Sequence, residues 1–338
     1  MASAQTVGVV GWGTYLPGRV ETAQEVAERS GLPPDVVERK LGLREKRVPG
    51  PEDHVSHMGR EAARRALARS QTAPEELDLV LYCGSEYKDY IVWSAAAWLQ
   101  HALGARRAWA FEVYALCAGT PVALQTAKAL MLADPRLKTV LLVTASREGD
   151  LIDYQNERTR FMFNFGAGAA ALVLKRDHPR NRVLESAFLT DGSFSEDVVM
   201  PAGGSRRPPG PETVRQDLHK LDVPDPRRLK ERLDPVSLPN FLGVIREAVE
   251  RSGYSLADVT FLALTHMKRS FHRRVLEELG LREEQSVYLE DCGHVQAADQ
   301  ILALEQGLAC GRVREGDLVV LAGAGTGYTW AATALRWG

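Results

Sequence analysis

Short apolar runs alternate with longer amphipathic ones along most of this chain. Residues 7–10, 78–82, 108–114, 139–144, 165–174, 182–189, 258–264, 317–321 and 328–337 are rich in Val, Leu, Ala and aromatic residues, and predict strands. Apolar positions at helical spacing predict helices over 22–30, 35–41, 57–70, 94–103, 120–131, 239–251, 271–280 and 297–309. Glycine-rich segments at 11–17, 165–168 and 323–327 read as turns beside strand ends. Strand and helix patterns alternate, so the expected class is α/β with layered sheets and helices.

Composition narrows this little. With 338 residues and a formal charge of −2, the chain has room for a large core and no excess charge for nucleic acid. The apolar run at 6–11 is too short for a secretory or spanning segment, so no membrane partner is expected. The four cysteines, Cys83, Cys117, Cys292 and Cys310, are widely spaced and form no metal-binding pattern. Reduced thiols in the cytoplasm, and no metal, are the expectation.

One cysteine stands apart. Cys117 ends a strand-like run and precedes Gly119-Thr-Pro121, a helix start followed by alanine and leucine. Unpaired N–H groups and the dipole at a helix N-terminus favour a thiolate, which marks Cys117 as a nucleophile candidate. The other three cysteines read as packing residues. His54, His57, His101 and His272 read as surface residues.

Two stretches of the chain echo each other. Val113-Tyr114 leads to Cys117-Ala-Gly119 and a helix, and Val287-Tyr288 leads to Asp291-Cys-Gly293 and a helix, 174 positions on (287 − 113). The run from Asp78 to Glu86 matches that from Asp258 to His266, 180 positions on (258 − 78). Two similar halves, 1–180 and 181–338, related by a pseudo-twofold axis, would bring equivalent strand ends together. Cys117, Glu86, His266 and the Gly293-His294 turn would then share one site.

The segments Leu41-Gly-Leu-Arg-Glu-Lys-Arg47, Ala108-Trp-Ala-Phe-Glu-Val-Tyr-Ala-Leu-Cys-Ala-Gly119, Phe165-Gly-Ala-Gly168, Thr190-Asp-Gly-Ser193 and Gly327-Tyr-Thr-Trp-Ala-Ala332 resemble the thiolase superfamily. The order and spacing are most similar to ketoacyl-ACP synthase III. That resemblance implies a five-layered αβαβα fold of two halves and a homodimer. It also implies an acyltransferase that needs no cofactor beyond its substrates, acyl-CoA or acyl-ACP. Cys117 would be acylated, and a malonyl-thioester decarboxylated and condensed onto the acyl group. His266 and His294 would stabilise the enolate, and the Cys117 N–H with Gly327 would form an oxyanion hole.

Several positions depart from the family pattern. His294 stands where the family has asparagine, and can titrate as well as donate. Glu86 resembles the acid/base glutamate of HMG-CoA synthases, or pairs with Lys88 or Arg147. Val36 falls where an adenine-stacking tryptophan is expected, with Lys40 in place of an arginine. Lys40, Lys268, Arg269 and Arg273 are candidate contacts for CoA or an acidic carrier protein, or else a solvated face. Asp291 either orients His294 or caps the following helix. The rival readings are an HMG-CoA-synthase-like or other non-decarboxylating acyl transferase, and a retired structural subunit.

Overall fold

The computed structural model describes residues 5–338. Eleven strands form: β1 (Val7–Tyr15), β2 (Arg19–Thr22), β3 (Glu45–Val48), β4 (Leu79–Tyr82), β5 (Trp109–Glu112), β6 (Thr139–Ser146), β7 (Gly168–Arg176), β8 (Arg182–Thr190), β9 (Val259–Leu264), β10 (Leu318–Gly325) and β11 (Thr329–Arg336). Nine of them run in the order β5-β4-β6-β7-β1-β8-β11-β10-β9, while β2 and β3 pair separately. A single residue pair, Gly8 with Arg182, joins β1 to β8, so the sheet is two sheets touching at one edge.

The two sheets have the same plan. β4 and β6 are parallel, and β6, β7 and β1 follow antiparallel. Likewise β9 and β10 are parallel, and β10, β11 and β8 follow antiparallel. β5 lies parallel to β4 with Tyr82 opposite Glu112. Its counterpart has shrunk to one parallel bridge between Leu262 and Ser286, because the 287–289 segment leaves the sheet edge at once.

Five layers result. The helices Val55–Ser70 and Ala95–Leu103 cover one sheet through an alanine- and leucine-rich core. The helices Pro226–Arg251 and Arg269–Glu278 cover the other. Between the sheets lie Gly119–Ala133 and Asp299–Ala309, whose side chains meet residues of both sheets in a third core. The apolar stretch Leu116–Ala133 is long enough to cross a membrane by composition. Here it is the helix sandwiched by the two sheets. This is the αβαβα layering that the resemblance implied.

Several local expectations change. Gly11 and Gly13 belong to β1 rather than to a turn. A side chain at either would lie within 2.3–2.5 Å of the Ala66 or Ala62 carbonyl, so glycine lets the Val55–Ser70 helix rest on the strand. The helix expected over 239–251 begins at Pro226, with Pro235 and Pro239 inside it. Prolines made its first half look like loop.

Candidate active site

Cys117 sits in a one-turn 3₁₀ segment, Leu116–Ala118, that feeds directly into the Gly119–Ala133 helix. Leu116 takes φ +50°, a left-handed conformation that costs a non-glycine residue roughly 1 kcal/mol or more. Around the turn only small residues fit. A Cβ at Gly119 would lie 2.5 Å from the Cys83 carbonyl, and one at Gly323 would lie 2.6 Å from the Cys117 carbonyl. The glycine end of β10 therefore lies against the backbone of Cys117.

A second turn of the same kind faces it. Gln296–Ala298 is again a 3₁₀ segment, Gln296 takes φ +52°, and the Asp299–Ala309 helix follows. The two turns are 180 positions apart (296 − 116), the same offset as β4 and β9. At the sheet edge the offset is 174, since Ser286 takes the place of Glu112 (286 − 112). The second half thus has six more residues between sheet edge and helix (180 − 174). Those extra residues correct the expected match of Cys117-Ala-Gly119 with Asp291-Cys-Gly293. The true counterpart of Cys117 is Ala297, and His294 lies in the longer connection.

That connection aims His294 at the sulfur. Gly293 takes φ +71°, and a side chain there would lie 2.5 Å from the Asn164 carbonyl. The His294 N–H donates to the Asn164 carbonyl (2.8 Å), and the Gly166 N–H donates to the His294 carbonyl (2.9 Å). Phe165 packs its ring against the imidazole at 4.9 Å. Behind this loop, buried Lys46 donates from Nζ to the Phe163 and Phe165 carbonyls, each at 2.8 Å. Burial pushes its ammonium down to about 8, with Glu21 opposing.

The result is a three-residue relay. Cys117 Sγ lies 3.0 Å from His294 Nε2, and His294 Nδ1 lies 2.6 Å from Asp299 Oδ2. Asp299 also accepts the His266 N–H (2.7 Å) and, through Oδ1, the Val295 N–H (2.7 Å). Burial alone would lower the His294 imidazole, but the Cys117 sulfur and the Asp299 carboxylate together raise it well above its ordinary value. Burial raises the Cys117 thiol, and His294 pulls it back. Each group therefore shifts the other's protonation, and the sulfur and Nε2 lie close enough to exchange a proton.

His266 closes the site from the end of β9. Its ring is buried, and neither ring nitrogen has a partner among the described residues. Burial pushes it down to about 3, so it is a neutral donor at ordinary pH. Gly327 lies in the turn after β10, and the phenol of adjoining Tyr328 is raised by burial and further by Cys117.

Other expected site residues fall elsewhere. Glu86 is exposed and makes no hydrogen bond among the described residues, so it is not joined to the relay. Lys40 and Lys268 are exposed. Arg269 pairs with Glu290 and stacks 4.2 Å from the Tyr288 ring centre, and Arg273 pairs with Glu283 at 2.9 Å. Both arginines line a cleft of about 640 Å³ with their charge already matched. Asp291 pairs with Arg44, leaving Asp299 to orient His294. His272, expected at the surface, is buried against Tyr288 because its helix is packed on the sheet.

Two groups escaped the sequence reading. Asp299 opens a helix five residues after His294, and in the 180 offset it replaces Gly119. A carboxylate in place of a glycine was the available signal. Glu148, beyond β6, is held by Ser85 Oγ (2.8 Å) and Gln296 Nε2 (2.7 Å). It stood in a polar loop with no pattern to distinguish it.

Known proteins resemble this chain along nearly its whole length. The family model "3-oxoacyl-[acyl-carrier-protein (ACP)] synthase III" matches residues 111–192, and its C-terminal companion matches 249–337. A beta-ketoacyl-[acyl-carrier-protein] synthase III of Symbiobacterium thermophilum is 31% identical over 98% of both chains. The chain belongs to the 3-oxoacyl-ACP synthase III family. A second relative within this similarity, the 3-oxopimeloyl-[acyl-carrier-protein] synthase of Rhodothermus marinus, is 30% identical over 99% of this chain and 95% of its own. The synthase III structure from Thermus thermophilus superposes with TM-score 0.84 at 26% identity, covering 98% of this chain and 99% of that one. Within the synthase III fold, then, this member joins its cysteine to a histidine and an aspartate.

Proposed function

We propose that this chain is an acyltransferase that loads an acyl group from a CoA or ACP thioester onto Cys117 and condenses it with a malonyl-thioester. The observation that carries this is the 3.0 Å contact between Cys117 Sγ and His294 Nε2, backed by Asp299. In the first step the sulfur forms a bond to the thioester carbonyl carbon. The donor's C–S bond breaks, and the donor thiol leaves with the Cys117 proton, passed on by His294 Nε2. Loss of CO₂ from the malonyl group then leaves an enolate, whose carbon forms a bond to the acyl-Cys117 carbonyl carbon. The C–S bond to Cys117 breaks, and the sulfur leaves as the thiolate while the 3-oxoacyl product departs on the malonyl carrier. Neutral His266, and His294 once solvent has returned a proton to its Nε2, are the donors to the enolate oxygen, and the Cys117 N–H with the Gly327 turn is the second oxyanion pocket.

Asp299 favours a second reading, acyl transfer without decarboxylation. A histidine backed by a carboxylate can take a proton from an attacking hydroxyl or amine, which an asparagine at this position cannot. The intact relay weighs against a retired structural subunit. A homodimer is supported by the exposed edge of β5, where Trp109 stacks on Phe111 at 5.0 Å, and by the exposed Tyr90-Ile-Val92 loop. All four cysteines are free, which suits the cytoplasm.

Intact-protein mass spectrometry with a panel of acyl-CoA and acyl-ACP donors tests the first step: an adduct on the wild type, and none on Cys117→Ala, is expected. Release of labelled CO₂ and a 3-oxoacyl product from malonyl-ACP tests the second. An adduct that transfers only to a hydroxyl or amine, with no CO₂, selects the second reading.

A further inference from the structure

Glu148 is a carboxylate that the condensation does not use. It opens the short turn Glu148–Leu151 just beyond β6. Only one of its oxygens is occupied: Oε1 accepts both the Ser85 hydroxyl (2.8 Å) and the Gln296 amide N–H (2.7 Å). The other oxygen has no partner among the described residues and is not sealed from solvent, because the residue is only half-buried. Its holders are themselves rigid, since Ser85 and Gln296 are buried and Gln296 belongs to the left-handed turn facing Cys117. The carbonyl oxygen of the Gln296 side chain is also buried without a donor.

The cradle thus spends its donors on positioning Glu148 and leaves two acceptors unfilled. The carboxylate stands beside the reaction site, because Gln296, which holds it, begins the turn that faces Cys117. Burial raises its carboxyl, and the Ser85 hydroxyl and the His294 imidazole oppose that rise. A plain alkyl chain laid against the open oxygen would strip its water and return nothing. A second carboxylate would be repelled as well. A hydroxyl or ammonium would donate to it and satisfy it.

We propose that Glu148 is a specificity-determining residue, and that it selects acyl groups carrying a hydrogen-bond donor, a hydroxyl or an ammonium, close to the thioester. This rests on the reading of Cys117 as the acylated nucleophile. The selection is partly negative, because the same carboxylate penalises alkyl and dicarboxylic chains of equal length.

Adduct formation on Cys117 can be timed by intact-protein mass spectrometry with 3-hydroxybutyryl-CoA, β-alanyl-CoA, butyryl-CoA and succinyl-CoA. The hydroxy- or amino-acyl donor is expected to load at least about tenfold faster than butyryl, with succinyl slower still. Glu148→Leu should reverse the order of hydroxybutyryl and butyryl. The near-isosteric Glu148→Gln should raise the succinyl rate by removing the repelling charge. Equal wild-type rates for butyryl and hydroxybutyryl, or variants that scale all four rates by one factor, would overturn the assignment of Glu148 while leaving the acyl-enzyme intact. A wild type that accepts none of these donors, nor any in a wider acyl panel, would overturn the acyltransferase reading itself.

Discussion

Thr120 and Gln300 each hold the other's turn. Thr120 Oγ1 donates to the Ala297 carbonyl (2.5 Å), and Gln300 Nε2 donates to the Cys117 carbonyl (3.1 Å). The two residues are 180 positions apart (300 − 120), as are the carbonyls they bind (297 − 117). The pair clamps two strained turns together across the pseudo-twofold axis. Gln300 also donates to Thr265 Oγ1 at 2.6 Å, just before His266. Gln300→Leu should therefore cost about 1–3 kcal/mol for each buried group left unpaired, and slow acylation of Cys117 roughly tenfold. Thr120→Val should cost similar stability with a smaller effect on rate, because it frees only the Ala297 side. Denaturant titration and adduct timing together check this split.

Asp299→Asn keeps the shape of the relay but removes its charge. Its amide must also face backbone N–H groups of His266 and Val295 that a carboxylate accepts. The His294 imidazole should lose part of its upward shift, and acylation should fall by about 100-fold or more, as in other triads that lose their acid. The pH dependence of Cys117 alkylation by iodoacetamide should move with it. An unchanged alkylation profile would show that Asp299 does not govern the pair.

Acid should loosen the fold through two buried imidazoles. Burial lowers His266 to about 3 and His272 to about 4, from an ordinary 6.5. Below 6.5 the unfolded chain takes up protons that the fold refuses, so stability is complete above that pH and falls as pH drops toward 4 and 3. His272 alone accounts for on the order of 3 kcal/mol over this interval. His294, raised instead, adds stability below its ordinary value and loses it as pH rises through its folded one. His272→Leu should flatten the acid limb of a stability-against-pH curve while leaving Cys117 loading within a few-fold of wild type.

Glu86→Ala should be nearly silent. The side chain is exposed and makes no hydrogen bond among the described residues, so a stability change within about 0.5 kcal/mol and an acylation rate within a few-fold are expected. A loss comparable to that of Cys117→Ala would restore Glu86 to the chemistry.

Much of the architecture was legible because it repeats. Two runs of the same strand and helix pattern, and the small residues around Cys117, are local signals that any reader of the chain can find. The helix starting at Pro226 was hidden in its first half, since Pro235 and Pro239 mimic a break. Asp299 and Glu148 were missed for a different reason. Each matters through partners far along the chain, His266 for one and Gln296 for the other, and nothing in their own neighbourhood advertises it. Asp291, near His294 in sequence, was the carboxylate open to orienting it or capping the next helix, and it pairs with Arg44 instead because proximity in sequence is not proximity in space.

The six-residue difference between the two strand-to-helix connections has a consequence for how a duplicated scaffold becomes an enzyme. Perfect twofold repetition would set a cysteine against its own copy, and a histidine against its own copy. Lengthening one connection lets unlike groups meet on the axis while the four matched strands of each sheet and both central helices keep their places. Chemistry here is a matter of loop length before it is a matter of residue choice. Shortening 289–295 should leave a folded protein whose two halves agree again and whose sulfur faces nothing.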